Sequence, residues 1–381
     1  MSEIPAWARW AASAGAGVWT VGIEEEVMLL DDACGSPANR ADDVLAAAPP
    51  SLARSLSPET HACVVELKTD PHPTVAAAAA ELAGLRRSLD DWLWDEWELR
   101  AAAAGTHPLA TGESATVSRR PRYREIAATM RVLARREPTM ALHVHVAVPD
   151  GDMAVRALDG LRANLPLLLA LSANSPYWRG EDSGFASMRT QLFGMFPRVG
   201  IPRRFGTYRE YVQAVDRLLR ADAVPEPGFL WWDARLQPRL GTVEVRIMDA
   251  QSRVADTAAL AALVHCLVCR WAHVDRPGDA APEVLDENRF LAARDGVAAR
   301  LIDPRSGRRR AIRGAVTELL ADCESLAARL GCAAELRAVA ALAGDPGAAR
   351  QRSYARDAGP AALPGWLSDE FTSERCAQAV A

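Results

Sequence analysis

Three segments of this chain place charged or imidazole side chains two residues apart inside runs that otherwise read as core strand. They are VGIEEEVMLL at 21–30, ALHVHVAV at 141–148 and TVEVRIMD at 242–249. Successive side chains of a strand point to opposite faces, so residues i and i+2 share one. Glu24 therefore sits beside Glu26, His143 beside His145, and Glu244 beside Arg246. Their neighbours Ile23, Val27, Leu142, Val144, Val146, Val243, Val245 and Ile247 are apolar. Glu66 is a further carboxylate in the equally apolar CVVEL. Buried charge is costly unless it is paired or bound to a cation. Such a chain is constrained to build core-like strands that together present a charged sheet surface.

The remaining pattern supplies elements to carry that surface. Residues 18–30 read as a strand or hairpin arm, 60–69 as a second strand, and 74–104 as a long Ala/Leu/Trp helix stopped by Gly105. Residues 139–148 alternate and stop at the turn signal Pro149–Asp150–Gly151, and 153–172 is helical with Pro166 as a kink. The stretch 175–206 is irregular and rich in Gly, Pro, Arg and aromatics, which points to a functional loop rather than a disordered one. Residues 229–238 and 241–249 form a strand pair joined at Leu240–Gly241, and from Arg253 the pattern is helical. No linker-like shift divides the chain. The expectation is one α+β domain over 1–381, sheet-rich over 1–252 and mostly helical over 253–381.

Composition removes several chemistries. Among 44 basic residues only Lys68 is a lysine, and it lies in ELKTD, so a GxxxxGK[ST] phosphate loop is absent. A Schiff-base enzyme would have to use Lys68 itself. A net charge of −5 lacks the basic excess of a nucleic-acid binder. The longest strongly apolar stretch, 165–173, is about half of what a membrane span needs. The first 17 residues lack the basic-then-apolar order of a signal peptide. A cytoplasmic chain with no nucleic-acid or membrane partner is expected. Seven scattered cysteines form no disulfide framework, and Cys266 and Cys269, inside a helical run, read as buried thiols. The basic run Arg305–Arg310 reads as a solvated loop.

Each polar pair alone has a plain structural explanation. A triple-Glu strand can have a solvated edge, a strand histidine is often a hydrogen-bonded core residue, and Glu-x-Arg is a common cross-strand ion pair. The conjunction is what points to chemistry. Carboxylates with a histidine suit Mg²⁺ or Mn²⁺, and an arginine fork suits a γ-phosphate. Metal ions on a carboxylate-lined sheet can neutralise a triphosphate without any glycine loop.

These residues resemble the type 2 glutamate–cysteine ligase family, within it the bacterial carboxylate–amine ligases. The matching stretches are TVGIEEEVMLLD, ETHACVVELKTDPH, GTHP at 105–108, HVHVAV, LSANSPYWRGEDSGFASMRTQLFGMFPRVGIP, WWDARLQPRLGTVEVRIMD and ENRFLAARDGVAARLID, in family order over nearly the whole chain. The resemblance implies a glutamine-synthetase-like catalytic fold: an antiparallel sheet forming an active-site funnel, backed by helices. It implies an ATP-dependent ligase that forms an amide through an acyl-phosphate, with glutamate and cysteine giving γ-glutamylcysteine. By motif position Glu24, Glu26, Glu66, Glu244 and His143 resemble metal ligands, and Glu59 falls where the superfamily often has another acidic one. His145, Arg246 and Arg235 resemble nucleotide-facing residues, with Arg246 on the transferring phosphate and Glu244 catalytic beside it. Arg189, Tyr177 and Trp178 resemble substrate-facing residues. The implied cofactors are ATP and Mg²⁺ (or Mn²⁺), the partners are a small carboxylic acid and an amine, and relatives suggest a homodimer. Two rivals are a metal-dependent amidohydrolase built on the HxH pair and a non-catalytic nucleotide-binding relative.

Overall fold

The computed structural model describes residues 4–11, 18–278 and 280–373. Most of the N-terminal segment read above for targeting, and the seventh cysteine, Cys376, lie outside them. The strands in chain order are β1 (Val21–Asp31), β2 (Leu56–Pro58), β3 (Val64–Lys68), β4 (Leu99–Ala102), β5 (Ala141–Ala147), β6 (Tyr177–Trp178), β7 (Glu181–Asp182), β8 (Val199–Gly200), β9 (Trp231–Trp232), β10 (Ala234–Gln237) and β11 (Thr242–Asp249). Seven of them make one sheet in the order β10-β11-β5-β1-β3-β2, with β4 also on β1. Every ladder in it is antiparallel. β1 is long because it serves three partners. It pairs β3 along one edge, and the other edge is divided between β5 (residues 21–25 of β1) and β4 (residues 28–31).

Helices cover the back of this sheet. Val254–Ala272 packs against β1 and β5 and against the helices Val75–Trp97, Gly151–Leu161 and Ala333–Gly344. Among the described residues it alone is long and apolar enough to cross a bilayer, and most of it is buried within the protein. Cys266 and Cys269 are buried on it, as expected of core thiols. One apolar cluster runs from Ala8 to Phe371 and joins sheet and helices.

Glu25 shows how the two faces of β1 are divided. Its carboxylate points to the back, where Arg86 of helix Val75–Trp97 grips both oxygens at 2.9 and 2.8 Å. Thr257 donates to it at 2.6 Å, and Arg86 also donates to the carbonyls of Gln251, Ser252 and Phe371. Glu24 and Glu26 are thereby left on the front.

Four sequence expectations are corrected. The helix expected to run to Ala104 ends at Trp97, where Glu98 turns left-handed (φ 51) and the chain returns as β4. Ala101–Ala104 are fully buried, so their small size serves close packing rather than helix propensity. Gly105 does not stop the helix. It lies so close to Asp249 that a Cβ there would stand 2.5 Å from that carboxyl carbon. The helix expected over 153–172 is two, Gly151–Leu161 and Leu165–Ser172, the second opening with Pro166 in its first turn. The second strand covers only Val64–Lys68, and residues 60–63 form the turn that brings Glu59 towards it. Finally, β9 leaves the expected 229–238 strand to pair in parallel with β8. The turn at Leu240–Gly241 is as expected, with Gly241 at φ +67 against the carbonyl of Ala11. The helical C-terminal part carries one hairpin, β12 (Arg300–Ile302) with β13 (Arg309–Ala311), and Arg305 and Arg308 are exposed at its tip.

Candidate active site on the sheet

Strand register assembles the site. Residues directly opposite each other in an antiparallel pair project to the same face. Glu24 of β1 stands opposite His143 of β5, Glu26 opposite Glu66 of β3, and Glu244 of β11 opposite both His145 of β5 and Arg235 of β10. Side chains far apart in sequence thus form one surface. A register shift between Val245 and Met248 interrupts the β11–β5 ladder beside Arg246, while on the β10 side the Arg246 amide bonds to the carbonyl of Asp233. Such bulges re-aim side chains. Glu24, Glu26, Glu66, His143, His145, Glu244 and Arg246 line a cavity of about 290 Å³, together with Glu59, Arg189 and Arg235.

Glu24 is the hub. Its carboxylate lies 3.4 Å from His143 Nδ1 and 3.3 Å from His145 Nε2, and His145 Nε2 lies 3.9 Å from Glu244. Two groups therefore have ligand atoms within 4.8 Å of one another: Glu24 with His145 and Glu244, and Glu24 with Glu66 and His143. The donor set is carboxylate oxygen and imidazole nitrogen, which fits Mg²⁺ or Mn²⁺. The Nε2 atoms of His143 and His145 are buried without a hydrogen-bond partner, and a cation would satisfy them. His145 is oriented from behind by a 3.0 Å contact between Nδ1 and Thr242 Oγ1, which fixes the ring as a ligating histidine usually is fixed by its other nitrogen.

Three arginines act on the same surface. Arg235 grips Glu244 through Nε at 2.6 Å and Nη2 at 3.2 Å, and Gln237 donates to it at 2.6 Å. Arg246 donates to Glu244 Oε1, which Arg235 Nη2 also reaches, and leaves its buried Nε unpartnered. Arg189 donates to the carbonyls of Ile247 and Arg246 at 3.1 and 3.2 Å, and its Nε is likewise buried and unpartnered. Asp249 lies 3.8 Å behind Arg189 and is held by Ser175 and Ser187.

The acids titrate in opposite directions. Burial raises Glu244, but Arg235, Arg246 and both histidines overcome it and hold the carboxyl well below its usual range. Glu24 is likewise held down, because His145 and His143 outweigh its burial. Burial pushes Glu26 up to about 7 despite Arg189 and Arg246, and burial with the Glu26 charge pushes Glu59 up to about 8. Glu66 is raised by burial and by Glu24 and Glu59. Burial, aided by Arg246, lowers His143 to about 4, which leaves it neutral and able to ligate. His145 is raised: Glu24 and Glu244 outweigh its burial. Glu26, Glu59 and Glu66 thus crowd like charges into one buried face, where each raises its neighbours.

The structure therefore brings together Glu24, Glu26, Glu59, Glu66, His143, His145, Arg189, Arg235, Glu244 and Arg246. His145, expected to face the nucleotide, shares one of the two candidate ligand groups. Tyr177 and Trp178 are not brought to this cavity, contrary to expectation. Tyr177 packs with Ala355 and Leu363, and Trp178 lies under the Arg179 guanidinium, 4.7 Å from its ring. Sequence reasoning missed Gln237, Thr242, Arg122 and Glu137. The first two face their partners through strand register, and the last two arrive from segments with no alternating pattern.

The family model for glutamate–cysteine ligase family 2 matches residues 20–362. The chain belongs to that family. A Rubrobacter xylanophilus relative, provisionally named glutamate–cysteine ligase 2-3, is 40% identical over 337 residues, covering 88% of this chain and 92% of its own. A Gloeobacter violaceus relative, provisionally named glutamate–cysteine ligase 2, is 34% identical over 340 residues, covering 87% and 91%. In fold the family member is similar to the glutamate–cysteine ligase of Francisella tularensis, solved with AMP (TM-score 0.69, 14% identity, 94% and 90% covered). It is similar also to a bifunctional glutathione synthetase of Pasteurella multocida (TM-score 0.69, 13% identity), covering 93% of this chain and 52% of that one. The fold class is thus α+β with an antiparallel sheet backed by helices, and the family is one of ligases.

Proposed function

We propose that this ligase is an ATP-dependent carboxylate–amine ligase that forms an amide through an acyl-phosphate. The observation that carries the reading is Glu24. It joins two ligand groups on one sheet face, and the unpartnered Arg246 guanidinium nitrogen lines the same cavity. Bound Mg²⁺ or Mn²⁺ would be held by Glu24, Glu66, His143, His145 and Glu244, with Glu26 and Glu59 adjoining, and would neutralise phosphate charge. Arg246 would add a fixed positive charge where the transferring phosphoryl gathers negative charge, with Glu244 and Arg235 fixing its position. Arg189 would take the carboxylate of the acid, its Nε being free.

In the first half-reaction a carboxylate oxygen of the acid forms a bond to the γ-phosphorus as the bond to ADP breaks. In the second the amine nitrogen attacks the acyl carbon, phosphate leaves, and the amine loses a proton. No protein nucleophile is required, and holding amine and anhydride together supplies much of the rate. Glutamate and cysteine, giving γ-glutamylcysteine, are the first pair to assay. The hydrolase alternative finds no support in the family match. A single catalytic domain over 1–381 is part of the proposal and rests on the apolar cluster from Ala8 to Phe371. Cytoplasmic location and a homodimer are also parts of it, the dimer to be tested by light scattering. The function itself is tested by ADP release with ATP, Mg²⁺, glutamate and a panel of amines, with products identified by mass spectrometry. ATP binding in calorimetry followed by no ADP release with any acid–amine pair would sink it.

A further inference from the structure

Asp249 is a fully buried carboxylate that no step of the proposed reaction uses. Three donors reach it: Ser175 Oγ at 2.6 Å, the Asn174 amide at 2.9 Å and Ser187 Oγ at 2.9 Å. Arg189 Nη1 lies 3.8 Å away. Both serines pass the contact on. Ser175 Oγ accepts from the Arg189 amide at 3.1 Å, and Ser187 Oγ, the N-cap of helix Met188–Phe193, accepts from the Thr190 amide at 3.3 Å. Each hydroxyl therefore donates to Asp249 and accepts from the first turn of the helix that carries Arg189.

The far end of Arg189 is tied to the same strand. Its guanidinium donates to the carbonyls of Ile247 and Arg246. Ile247, Arg246 and Asp249 all belong to β11, which also carries Glu244. Backbone and side chain of Arg189 are thus both anchored to one strand, and that strand spaces Arg189 from Arg246. Gly105 makes room for the arrangement. It is not at positive φ, but a Cβ there would stand 2.5 Å from the Asp249 carboxyl carbon and 2.8 Å from Ser175 Oγ. Asn174 is fixed in turn: its Nδ2 donates to the Ala250 carbonyl and to Ser252 Oγ, and Gln351 of helix Gly347–Ala358 donates to its carbonyl and its Oδ1 at 2.8 Å. The helical C-terminal part so reaches the back of the site.

We propose that Asp249 is a positioning residue for Arg189: through Ser175 and Ser187 it sets the helix turn that presents the guanidinium, and with it the spacing between acid and phosphoryl group. The proposal rests on the reading of Arg189 as the anchor of the acid. The sign of the effect separates positioning from charge. A carboxylate beside Arg189 opposes a second anion, so losing its charge alone would tighten the acid. Losing the relays would loosen it, because asparagine offers one acceptor oxygen where two hydroxyls and an amide now donate. Small misplacements of a substrate-holding group are costly to rate.

The test uses the full chain with ATP, Mg²⁺, glutamate and the best amine of the panel. Asp249→Asn should raise KM for glutamate about tenfold or more while KM for ATP moves less than twofold. Ser187→Ala keeps the charge and removes one relay, and should move KM for glutamate the same way by about threefold or more. Added to Arg189→Ala, Asp249→Asn should change KM for glutamate less than twofold further, since its effect passes through Arg189. A thermal melt checks folding, and Ser187→Ala carries the test should Asp249→Asn not fold. An unchanged or lowered KM for glutamate overturns the proposal, and so does a full additional effect on top of Arg189→Ala. Equal rises in KM for glutamate and ATP also overturn it, as the mark of a general loosening of the fold. If no amine supports ADP release, the ligase reading fails, and calorimetric titration of glutamate reads the same contrast between parent and variants without turnover. Glutamate that does not bind the parent in that titration refutes Arg189 as its anchor, and the proposal with it.

Discussion

Replacing Arg86 by methionine isolates the contact that fixes β1. Arg86 is fully buried in helix Val75–Trp97, and its guanidinium makes five hydrogen bonds, two to Glu25 and three to the carbonyls of Gln251, Ser252 and Phe371. It also stacks 4.5 Å from the Phe371 ring. Methionine fills much of the volume but strands the Glu25 carboxylate, to which Thr257 still donates. Removing one partner of a buried pair costs about 3–5 kcal/mol. Unfolding entropy of about 2.1 cal/mol/K per residue gives about 0.8 kcal/mol/K for this length. The melt should therefore fall by about 4–6 °C at the midpoint. Circular dichroism at several scan rates is the assay. The double variant Glu25→Leu with Arg86→Met removes both charges and should recover most of the loss, because hydrophobic replacements of buried pairs are often neutral or better. A single variant within about 1 °C of the parent, or a double variant as low as the single, would refute a stranded charge as the cause.

Three further outcomes follow from the front of the sheet. Glu244→Gln should cut ADP release by about 100-fold or more, since it removes the charge that Arg235 and Arg246 share; activity within tenfold of the parent would contradict the assignment. Arg189→Lys should not rescue Arg189→Ala in KM for the acid, because one ammonium cannot both reach the carbonyls of Ile247 and Arg246 and present a fork to a carboxylate; full rescue would make Arg189 a simple point charge. The third concerns pH. Glu26 at about 7 and Glu59 at about 8 lie above their unfolded value of 4.5, and His145 is raised too. For such groups the folded state holds extra protons, so their stabilisation is complete below the unfolded pKa and is lost as pH rises through the folded one. Mg²⁺ must displace those protons. The melting gap between Mg²⁺-loaded and metal-free protein should therefore widen from pH 6.5 to 8, and a constant or shrinking gap in scanning calorimetry would exclude these groups from the cation site.

Much of this was legible in the sequence because period-2 alternation is local. The segments carrying Glu24, Glu26, His143, His145 and Glu244 needed only the pleat to be placed on faces, and the order of family motifs needed only reading. What the sequence withheld was non-local. Gln237 donates to Glu244 because β10 and β11 pair in one register, and nothing in QPRLGTVE states that register beyond the turn itself. The end of helix Val75–Trp97 was unreadable for another reason. Alanine favours helices by propensity, yet Ala101 and Ala102 lie in β4, fully buried in the sheet. Tyr177 and Trp178 were misplaced because adjacency to a motif is not adjacency in space, and the chain turns at 176–182 through the small β6–β7 pair.

β1 ties the fold to the chemistry through a single register. Glu24, Glu25 and Glu26 are chemically near-identical, yet two face the candidate cation site and one faces Arg86. A slip by one residue would exchange the faces. It would put Glu24 and Glu26 against the apolar back layer, where Arg86 could answer only one of them, and leave a lone carboxylate on the front. The cost of that second unanswered charge falls on the slipped state alone. The Glu25–Arg86 pair thus specifies position even if it adds little net stability, which is the best-attested use of a buried ion pair. The same reasoning locates the tolerance of the strand. Met28 and Leu30, beyond the charged triplet, are core positions where a conservative apolar change should leave the register intact. Within the triplet no exchange of Glu for an apolar residue leaves both faces satisfied.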